Sequence, residues 1–69
     1  MEEQKNEEAL ILYKYYTNAF PMIVVAWNDM GDVYLKLNKK EEAIKCYKQA
    51  LKLRPENPRA KNNLEKLIK

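Results

Sequence analysis

Residues 27–55 read WNDMGDVYLKLNKKEEAIKCYKQALKLRP, and this stretch decides the fold. It contains two runs whose apolar residues recur every three or four positions, which is the spacing of one face of an α-helix. In the first run this face carries Trp27, Met30 and Tyr34, and in the second run it carries Tyr47. The stretch therefore predicts two amphipathic helices joined by a short turn.

Breaks between helices are marked by a few residues. The chain has one Gly and three Pro, so helix formers fill almost every segment between the prolines. Four helices are predicted, at residues 2–19, 23–37, 40–53 and 59–69, with Pro58 at the first helical position of the last. Asn38 ends the second helix, since asparagine tolerates the left-handed conformation that a helix stop often needs. Asn57 is expected to cap the fourth.

The first predicted helix is apolar nearly all round. Its middle carries six large apolar or aromatic residues that do not fit one face at 100° per residue. They are Leu10, Ile11, Leu12, Tyr13, Tyr15 and Tyr16. A helix of this kind is normally buried on more than one side, so we expect it to pack against more than one neighbour.

Length and composition exclude several classes of protein. With 69 residues, the chain is expected to be one small domain, residues 1–69. The core of such a domain is only marginally stable without a covalent or metal cross-link or a partner. It contains no His and one Cys, Cys46, so neither an intrachain disulfide nor a Cys/His metal cluster is expected. No nucleophile is paired with a base and no phosphate-binding loop is present. The sequence therefore predicts a non-catalytic protein with no cofactor, no metal and no small-molecule substrate.

Charge gives little support to a nucleic-acid partner. The net charge is +3, and acidic and basic residues are interleaved along most of the chain. A basic stripe recurs at helical spacing at Lys39, Lys40, Lys45, Lys48 and Lys52. Glu41 and Glu42 lie beside this stripe, and no aromatic residue is interleaved with it as in single-strand binders. A solvated helix surface explains these lysines better than contacts with phosphates.

Targeting signals are not evident. No long uncharged apolar run appears, and no basic segment followed by an apolar one. A single thiol is compatible with a reducing compartment. We therefore expect a soluble cytoplasmic protein with no membrane contact.

The sequence matches itself with an offset of 34 residues. In the first half of the match, Glu41, Glu42, Ala43, Ile44, Tyr47, Lys48 and Pro55 fall on Glu7, Glu8, Ala9, Leu10, Tyr13, Lys14 and Pro21. In the second half, Ala60, Asn62, Leu64 and Ile68 fall on Ala26, Asn28, Met30 and Tyr34. A self-match at this period indicates stacked units of two helices each.

One copy of this unit is complete and carries eight residues at fixed spacing. They are Trp27, Met30, Gly31, Tyr34, Ala43, Tyr47, Ala50 and Pro55. This pattern resembles a tetratricopeptide (TPR) repeat spanning residues 24–57. Residues 2–20 then resemble the second helix of a partial repeat, and residues 58–69 resemble a capping helix. The resemblance implies an all-α fold, an antiparallel helical hairpin with flanking helices that forms a four-helix α-solenoid fragment.

Two departures from the pattern precede the complete repeat. Residues 20–24 read FPMIV where residues 54–58 read RPENP, so apolar residues replace turn-forming ones and the helix cap is lost. Tyr16 occupies the position that Ala50 holds in the complete repeat. A large side chain therefore stands where the complete repeat has a small one that lets helices pack closely. We therefore expect a weak turn after the first helix.

The family resemblance also implies a binding groove. TPR domains characteristically bind extended peptides or helices in a concave groove lined by the first helix of each repeat. Carried over by position, the peptide- or partner-binding residues are Val25, Asn28, Asp29, Asp32, Leu35, Lys36, Arg59, Asn62, Asn63 and Lys66. Asn62 and Asn63 have amides that suit hydrogen bonds to a peptide backbone.

Aromatic and aliphatic residues before the complete repeat suggest a second surface. There are more of them than a core of one and a half repeats can bury, and surplus apolar surface marks association sites. The predicted self-association residues are Leu12, Tyr15, Tyr16, Phe20, Ile23 and Val24. Exchange of the first helix between two chains is one route to such a dimer.

Two functions from different classes follow. The first is a protein–protein interaction module, a TPR scaffold that binds a peptide or partner helix, self-associates through the apolar surface around residues 10–25, or does both. The second is a structural assembly unit, a natural fragment or an engineered chain, that forms a homodimer with no ligand. In both cases the expected partner is a protein or peptide, and most simply the chain itself.

Overall fold

Four α-helices make up almost all of the chain. The computed structural model describes residues 2–68, with side chains described for residues 5–67. The helices are α1 (Glu2–Ala19), α2 (Val24–Lys36), α3 (Lys40–Leu53) and α4 (Pro58–Ile68). The predicted all-α fold with four helices is confirmed, and α2 is one residue shorter at each end than predicted. The predicted last residue of α4, Lys69, lies outside the described residues.

Consecutive helices pack side by side. α2 packs against both α1 and α3, and α4 packs against α3, as expected for helices joined by short turns. The result is a flat layer that measures 34 × 30 × 15 Å. Among residues 2–68, no helix combines the length and the apolar character needed to cross a membrane.

The turn between α2 and α3 depends on Asn38. Its φ of 61° lies in the left-handed region, which asparagine adopts more readily than most residues. This conformation lets the Lys39 N–H donate to the Tyr34 carbonyl at 2.8 Å and the Asn38 N–H donate to the Leu35 carbonyl at 3.0 Å. These two bonds form a Schellman motif, which confirms the helix stop predicted at Asn38.

The closest contact in the core joins α2 to α3 at Gly31. A Cβ atom on Gly31 would lie 2.7 Å from Cε1 of Tyr47, closer than carbon atoms can approach. Tyr47 is fully buried, as are Ala43 and Ala50 on the same face of α3. Small residues on both helices therefore let the backbones approach, and the Tyr47 ring fills the space above the glycine.

Burial of α1 differs from the sequence-based expectation. Leu10 and Thr17 are buried and Tyr13 is partly buried, but most other side chains of this helix are exposed. α1 packs on α2 alone among the other helices, so one side of it is covered. The prediction that α1 is buried on more than one side is therefore wrong for the single chain.

The linker between α1 and α2 is anchored by an indole. Ile23 precedes α2 with no side-chain cap, as predicted from the sequence. The Trp27 Nε1–H donates a hydrogen bond of 2.9 Å to the carbonyl oxygen of Pro21. This bond ties the linker to α2 and supplies a restraint that the sequence does not indicate.

The N-terminus of α4 is capped as predicted. Oδ1 of Asn57 accepts hydrogen bonds from the Ala60 N–H at 2.8 Å and from Nδ2 of the buried Asn28 at 3.1 Å. The Asn57 side-chain oxygen thus pairs with a free backbone N–H in the first turn of α4 and also joins α4 to α2.

Replacing Asn57 with Ala should therefore destabilise the fold by about 1–2 kcal/mol, because it removes the cap and leaves the Asn28 amide without its partner. Urea unfolding measures the change. Asn62→Ala is the control, since Asn62 is exposed on the same helix and should change stability by less than about 0.5 kcal/mol. Equal losses in both variants would contradict this role of Asn57.

Candidate interaction surfaces

Charged side chains of α2 and α4 meet across the surface that the two helices share. Nη2 of Arg59, on α4, lies 2.9 Å from Oδ1 of Asp29 and also contacts Oδ2 of Asp32. The two aspartates lie one turn apart on α2, so one guanidinium bridges both carboxylates. The predicted groove residues Asp29, Asp32 and Arg59 therefore come together as one ionic cluster.

Asp32 has the most partners in this cluster. Its carboxylate accepts hydrogen bonds from the Tyr47 hydroxyl, from Arg59 and, at 3.5 Å, from Nδ2 of Asn63. Asp32 thereby links three of the four helices. Because its oxygens are engaged within the chain, they are poor candidates for binding a metal. Within residues 5–67, no three acidic, cysteine or histidine side chains lie together as metal ligands.

The cluster shifts the pKa of the phenols that face it. Burial, the hydrogen bond to Asp32 and the charge of Asp32 together raise the pKa of Tyr47 well above its ordinary value. Burial and the Asp29 carboxylate raise the pKa of Tyr13, the residue 34 positions before Tyr47. Both phenols therefore stay protonated at neutral pH, and the Tyr47 hydroxyl donates a hydrogen bond to Asp32.

The structure corrects one residue of the predicted groove. Asn28 is only 2% exposed, so its side chain is not available to a ligand. Its Nδ2 donates to Asn57, and within the described chain its buried Oδ1 has no hydrogen-bond donor. The Asn28 side chain, predicted to line the binding groove, instead joins α2 to the start of α4.

Other predicted groove residues differ in accessibility. Lys36, Asn62 and Lys66 are exposed, while Leu35 is partly buried and packs against the core. Val25 is exposed and lines a surface depression with residues of the α1–α2 linker. The polar members therefore lie along α2 and α4, with Lys36 and Lys66 near the C-terminal ends of those two helices.

A second surface is apolar. Every exposed large hydrophobic side chain among the described residues lies between residues 11 and 25. These are Ile11, Leu12, Tyr15, Tyr16, Phe20, Met22 and Val25. Large apolar side chains scattered singly over a surface are ordinary, but a contiguous group of them marks an association site.

Part of this group forms a shallow depression on α1 with a volume of about 520 Å³. We call this depression and its lining the α1 face; it comprises Ala9, Leu12, Tyr13, Tyr15, Tyr16 and Phe20. Tyr16 and Phe20 pack edge to face across it, with ring centroids 5.6 Å apart. None of the six residues is charged at neutral pH, so a partner could cover the α1 face without desolvating an ion.

The 34-residue offset shows what kind of surface this is. Four residues of the α1 face, Ala9, Leu12, Tyr13 and Tyr16, correspond to Ala43, Cys46, Tyr47 and Ala50. The latter four are at most 4% exposed, and they belong to α3, which packs between α2 and α4. The α1 face is therefore the equivalent of a helix-packing surface, and no helix of the described chain covers it.

Positions predicted for self-association fall mostly on this surface. Leu12, Tyr15, Tyr16 and Phe20 line the α1 face, whereas Ile23 and Val24 are partly buried and Val24 packs against the core. The sequence-based list omitted Ala9 and Tyr13. The match of Ala9 with Ala43 and of Tyr13 with Tyr47 was the signal that could have identified them.

Cys46 is a buried thiol without catalytic character. Burial, and to a smaller extent the charge of Glu42, raises its pKa from 9.0 to about 12. The thiol is therefore neutral and unreactive in the folded state, as expected for a packing residue.

These pKa shifts predict that the fold weakens at alkaline pH. The Cys46 thiol has a higher pKa when folded than when unfolded, so its contribution is complete below pH 9.0 and is lost as the pH rises toward about 12. The pKa of Tyr47 is also raised in the folded protein, so its contribution to stability is likewise lost as the pH rises. Urea unfolding at a series of pH values should show stability falling by roughly 1 kcal/mol per pH unit above the ordinary thiol pKa. A Cys46→Ala variant should fall less steeply; an identical slope would rule out the thiol as a cause.

Comparison with protein families agrees with the geometry. The sequence model of the tetratricopeptide repeat family matches residues 24–57, which comprise α2, α3 and the turns that bound them. A search of curated proteins found no match to the chain. The Gly31–Tyr47 contact and the Asn38 stop give that match its physical basis, since they set the approach and the turn of the two helices. Residues 24–57 of the chain therefore form a tetratricopeptide repeat.

Proposed function

We propose that this protein is a non-catalytic interaction module that associates with itself through the α1 face. Tetratricopeptide repeats generally mediate protein–protein interactions, and the proposal names the surface and the partner. The surface is the α1 face together with the neighbouring exposed residues of the linker. The partner is a second copy of the chain.

One observation carries this proposal. All the exposed large hydrophobic side chains of the described residues lie between residues 11 and 25, and Tyr15 is 74% exposed. The α3 residues that match Leu12 and Tyr16, which are Cys46 and Ala50, are buried by neighbouring helices. Burying one large apolar side chain stabilises an assembly by about 1.5–3 kcal/mol, so covering several of them drives association.

Light scattering coupled to size-exclusion chromatography tests the proposal. At high micromolar concentration the wild-type mass should be about twice the 8.2 kDa of one chain. Leu12→Glu should return the mass to one chain with unchanged helix content, because Leu12 is exposed and a charge there must lose its water on association. Asn62→Glu is the matched control, since it adds the same charge to an exposed position on α4 and should leave the mass doubled. A wild-type mass of one chain would contradict self-association.

A second candidate function is peptide binding along α2 and α4. The observation that favours it is the alignment of polar groups on these two helices, with the Arg59 cluster at one end and Lys36 and Lys66 at the other. Such an arrangement suits an extended peptide whose acidic group lies at the lysine end. Here the peptide backbone would contact the exposed Asn62 amide.

Nuclear magnetic resonance titration separates this second function from the first. A peptide with an acidic end should shift the amide signals of Asp32 and Asn62, and a Lys36→Glu variant should weaken the binding. Shifts confined to α1 would assign the peptide to the α1 face instead. If no signal moves at millimolar peptide, the surface along α2 and α4 does not bind this class of ligand.

A further inference from the structure

Two geometries that keep α1 packed on α2 of its own chain are open to the proposed self-associated form. In one, α4 of a copy covers the α1 face of the next copy, so the helical stack continues from chain to chain. In the other, the α1 faces of two copies cover each other around a two-fold axis. The first geometry gives an open chain of copies, whereas the second closes at two.

Continuation through α4 is blocked at Glu65. The 34-residue offset places Glu65 where α2 has Gly31, and places Tyr13 of the α1 face where α3 has Tyr47. A side chain on Gly31 would lie 2.7 Å from the Tyr47 ring. Glu65 would meet the Tyr13 ring of a second copy in the same way, and its carboxylate would enter an apolar surface.

Tyr16 blocks the same geometry from the other side. It stands at the position of Ala50, which is fully buried in the contact of α3 with its neighbours. Tyr16 is instead 43% exposed, and its ring projects at a place where α3 has only a methyl group. A helix that packed on α1 as α2 packs on α3 would collide with this ring.

A second copy offers one other apolar surface, which is the α1 face itself. No exposed large hydrophobic residue of the described chain lies outside residues 11–25. Two copies can therefore bury large apolar side chains of both chains only by packing these same surfaces against each other. A contact of identical surfaces is self-complementary about a two-fold axis. We infer that two copies form a closed dimer in which the α1 faces pack against each other, an inference that rests on the proposed self-association.

The chemistry of the surface suits this pairing. For a stable dimer, the α1 face and its exposed neighbours together have to bury roughly 800 Å² on each partner, about a seventh of the 5219 Å² surface of one chain. The α1 face and its exposed neighbours supply aromatic and aliphatic side chains of the types enriched at the centres of interfaces. Lys14 lies near Trp27 and Met30 on another side of the helix, so its charge stays outside the contact.

Cysteine cross-linking tests the geometry. In a Cys46→Ala background, which removes the native thiol, Leu12→Cys places one thiol on the α1 face, and Asn62→Cys places one on α4, about one turn from Glu65, which is left unchanged. With a short bis-maleimide, the Leu12→Cys chain should cross-link to itself in high yield. An equimolar mixture of the two chains should give no cross-links between α1 and α4. Lys48→Cys, exposed on α3, is the control for random collision.

The outcomes separate this inference from the function on which it rests. A doubled mass in light scattering, with cross-links only between Leu12→Cys and Asn62→Cys chains, would overturn the two-fold pairing and leave self-association standing. A mass that keeps growing with concentration would also overturn it, because the paired form is closed. A mass of one chain at every concentration would overturn the proposed function itself.

Discussion

Gly31→Leu is expected to remove most of the free energy that stabilises the folded protein. Even the first atom of the new side chain, its Cβ, would lie 2.7 Å from Cε1 of Tyr47. Tyr47 is fully buried and donates its hydroxyl to Asp32, so its ring has no free space in which to move. Overpacking of this kind costs about 3 kcal/mol or more, and a domain of this length has roughly 3–5 kcal/mol of stability to lose.

Circular dichroism during thermal unfolding measures this effect. Gly31→Ala serves as a graded control, because its single methyl group meets the same ring while alanine gains about 1 kcal/mol of helix propensity. The double variant Gly31→Leu/Tyr47→Leu should lose less stability than the sum of its two single variants, since the smaller side chain relieves the collision. Equal midpoints for wild type and Gly31→Leu would contradict the helix contact described here.

Asp32→Ala is the second substitution with a large expected effect. It removes the acceptor of the Tyr47 hydroxyl, together with contacts to Arg59 and Asn63. A buried hydroxyl left without a partner costs about 1–3 kcal/mol, and the loss of the contacts with Arg59 and Asn63 adds to it. We therefore expect a loss of about 2–3 kcal/mol in urea unfolding.

Asp29 provides the matched control for this result. It lies one turn from Asp32 and contacts the same guanidinium, but this ion pair is partly exposed. Asp29→Ala should therefore cost less than about 1 kcal/mol. In a Tyr47→Phe background, Asp32→Ala should cost clearly less than in the wild type. If the cost stays the same, the hydroxyl of Tyr47 is not the reason for the loss.

Much of the fold was predictable because short-range signals determine it. Helical spacing, the prolines and Asn38 fix where α2 and α3 begin and end, and the structure agrees within one residue for α2. The repeat pattern includes Gly31 and Tyr47 at fixed spacing, and the structure shows that a side chain at Gly31 would meet the Tyr47 ring. Each of these features depends on residues near one another in sequence or on a fixed period.

The groove was harder to predict, because a residue's position on a helix does not give its exposure. Asn28 was expected to face a ligand, yet it lies under the start of α4 and donates to Asn57. Likewise, the link from Tyr47 through Asp32 to Arg59 depends on three helices meeting at one point. The 34-residue period identifies equivalent positions along the sequence. It does not show which side chains of different helices meet, and only the folded structure shows this network.

Identifying the α1 face needs both the sequence and the structure. The sequence shows a surplus of apolar residues before the complete repeat but does not show which of them are left uncovered. The structure places Ile23 and Val24 partly inside and leaves Leu12, Tyr15 and Phe20 outside. The offset then relates Leu12 and Tyr16 to the buried residues Cys46 and Ala50 of α3, and so identifies this part of the surface as a helix-packing one.

A dilution series followed by nuclear magnetic resonance tests most directly whether the α1 face is the interaction surface. Amide and side-chain signals are compared from about 10 μM to about 1 mM, the range in which a dissociation constant of roughly 10–100 μM changes the bound fraction most. We predict concentration-dependent shifts at residues 9–25, while signals of Asp32 and Asn62 stay constant. Spectra that do not change with concentration while light scattering gives the mass of one chain, or changes confined to α2 and α4, would contradict the proposed role of the α1 face.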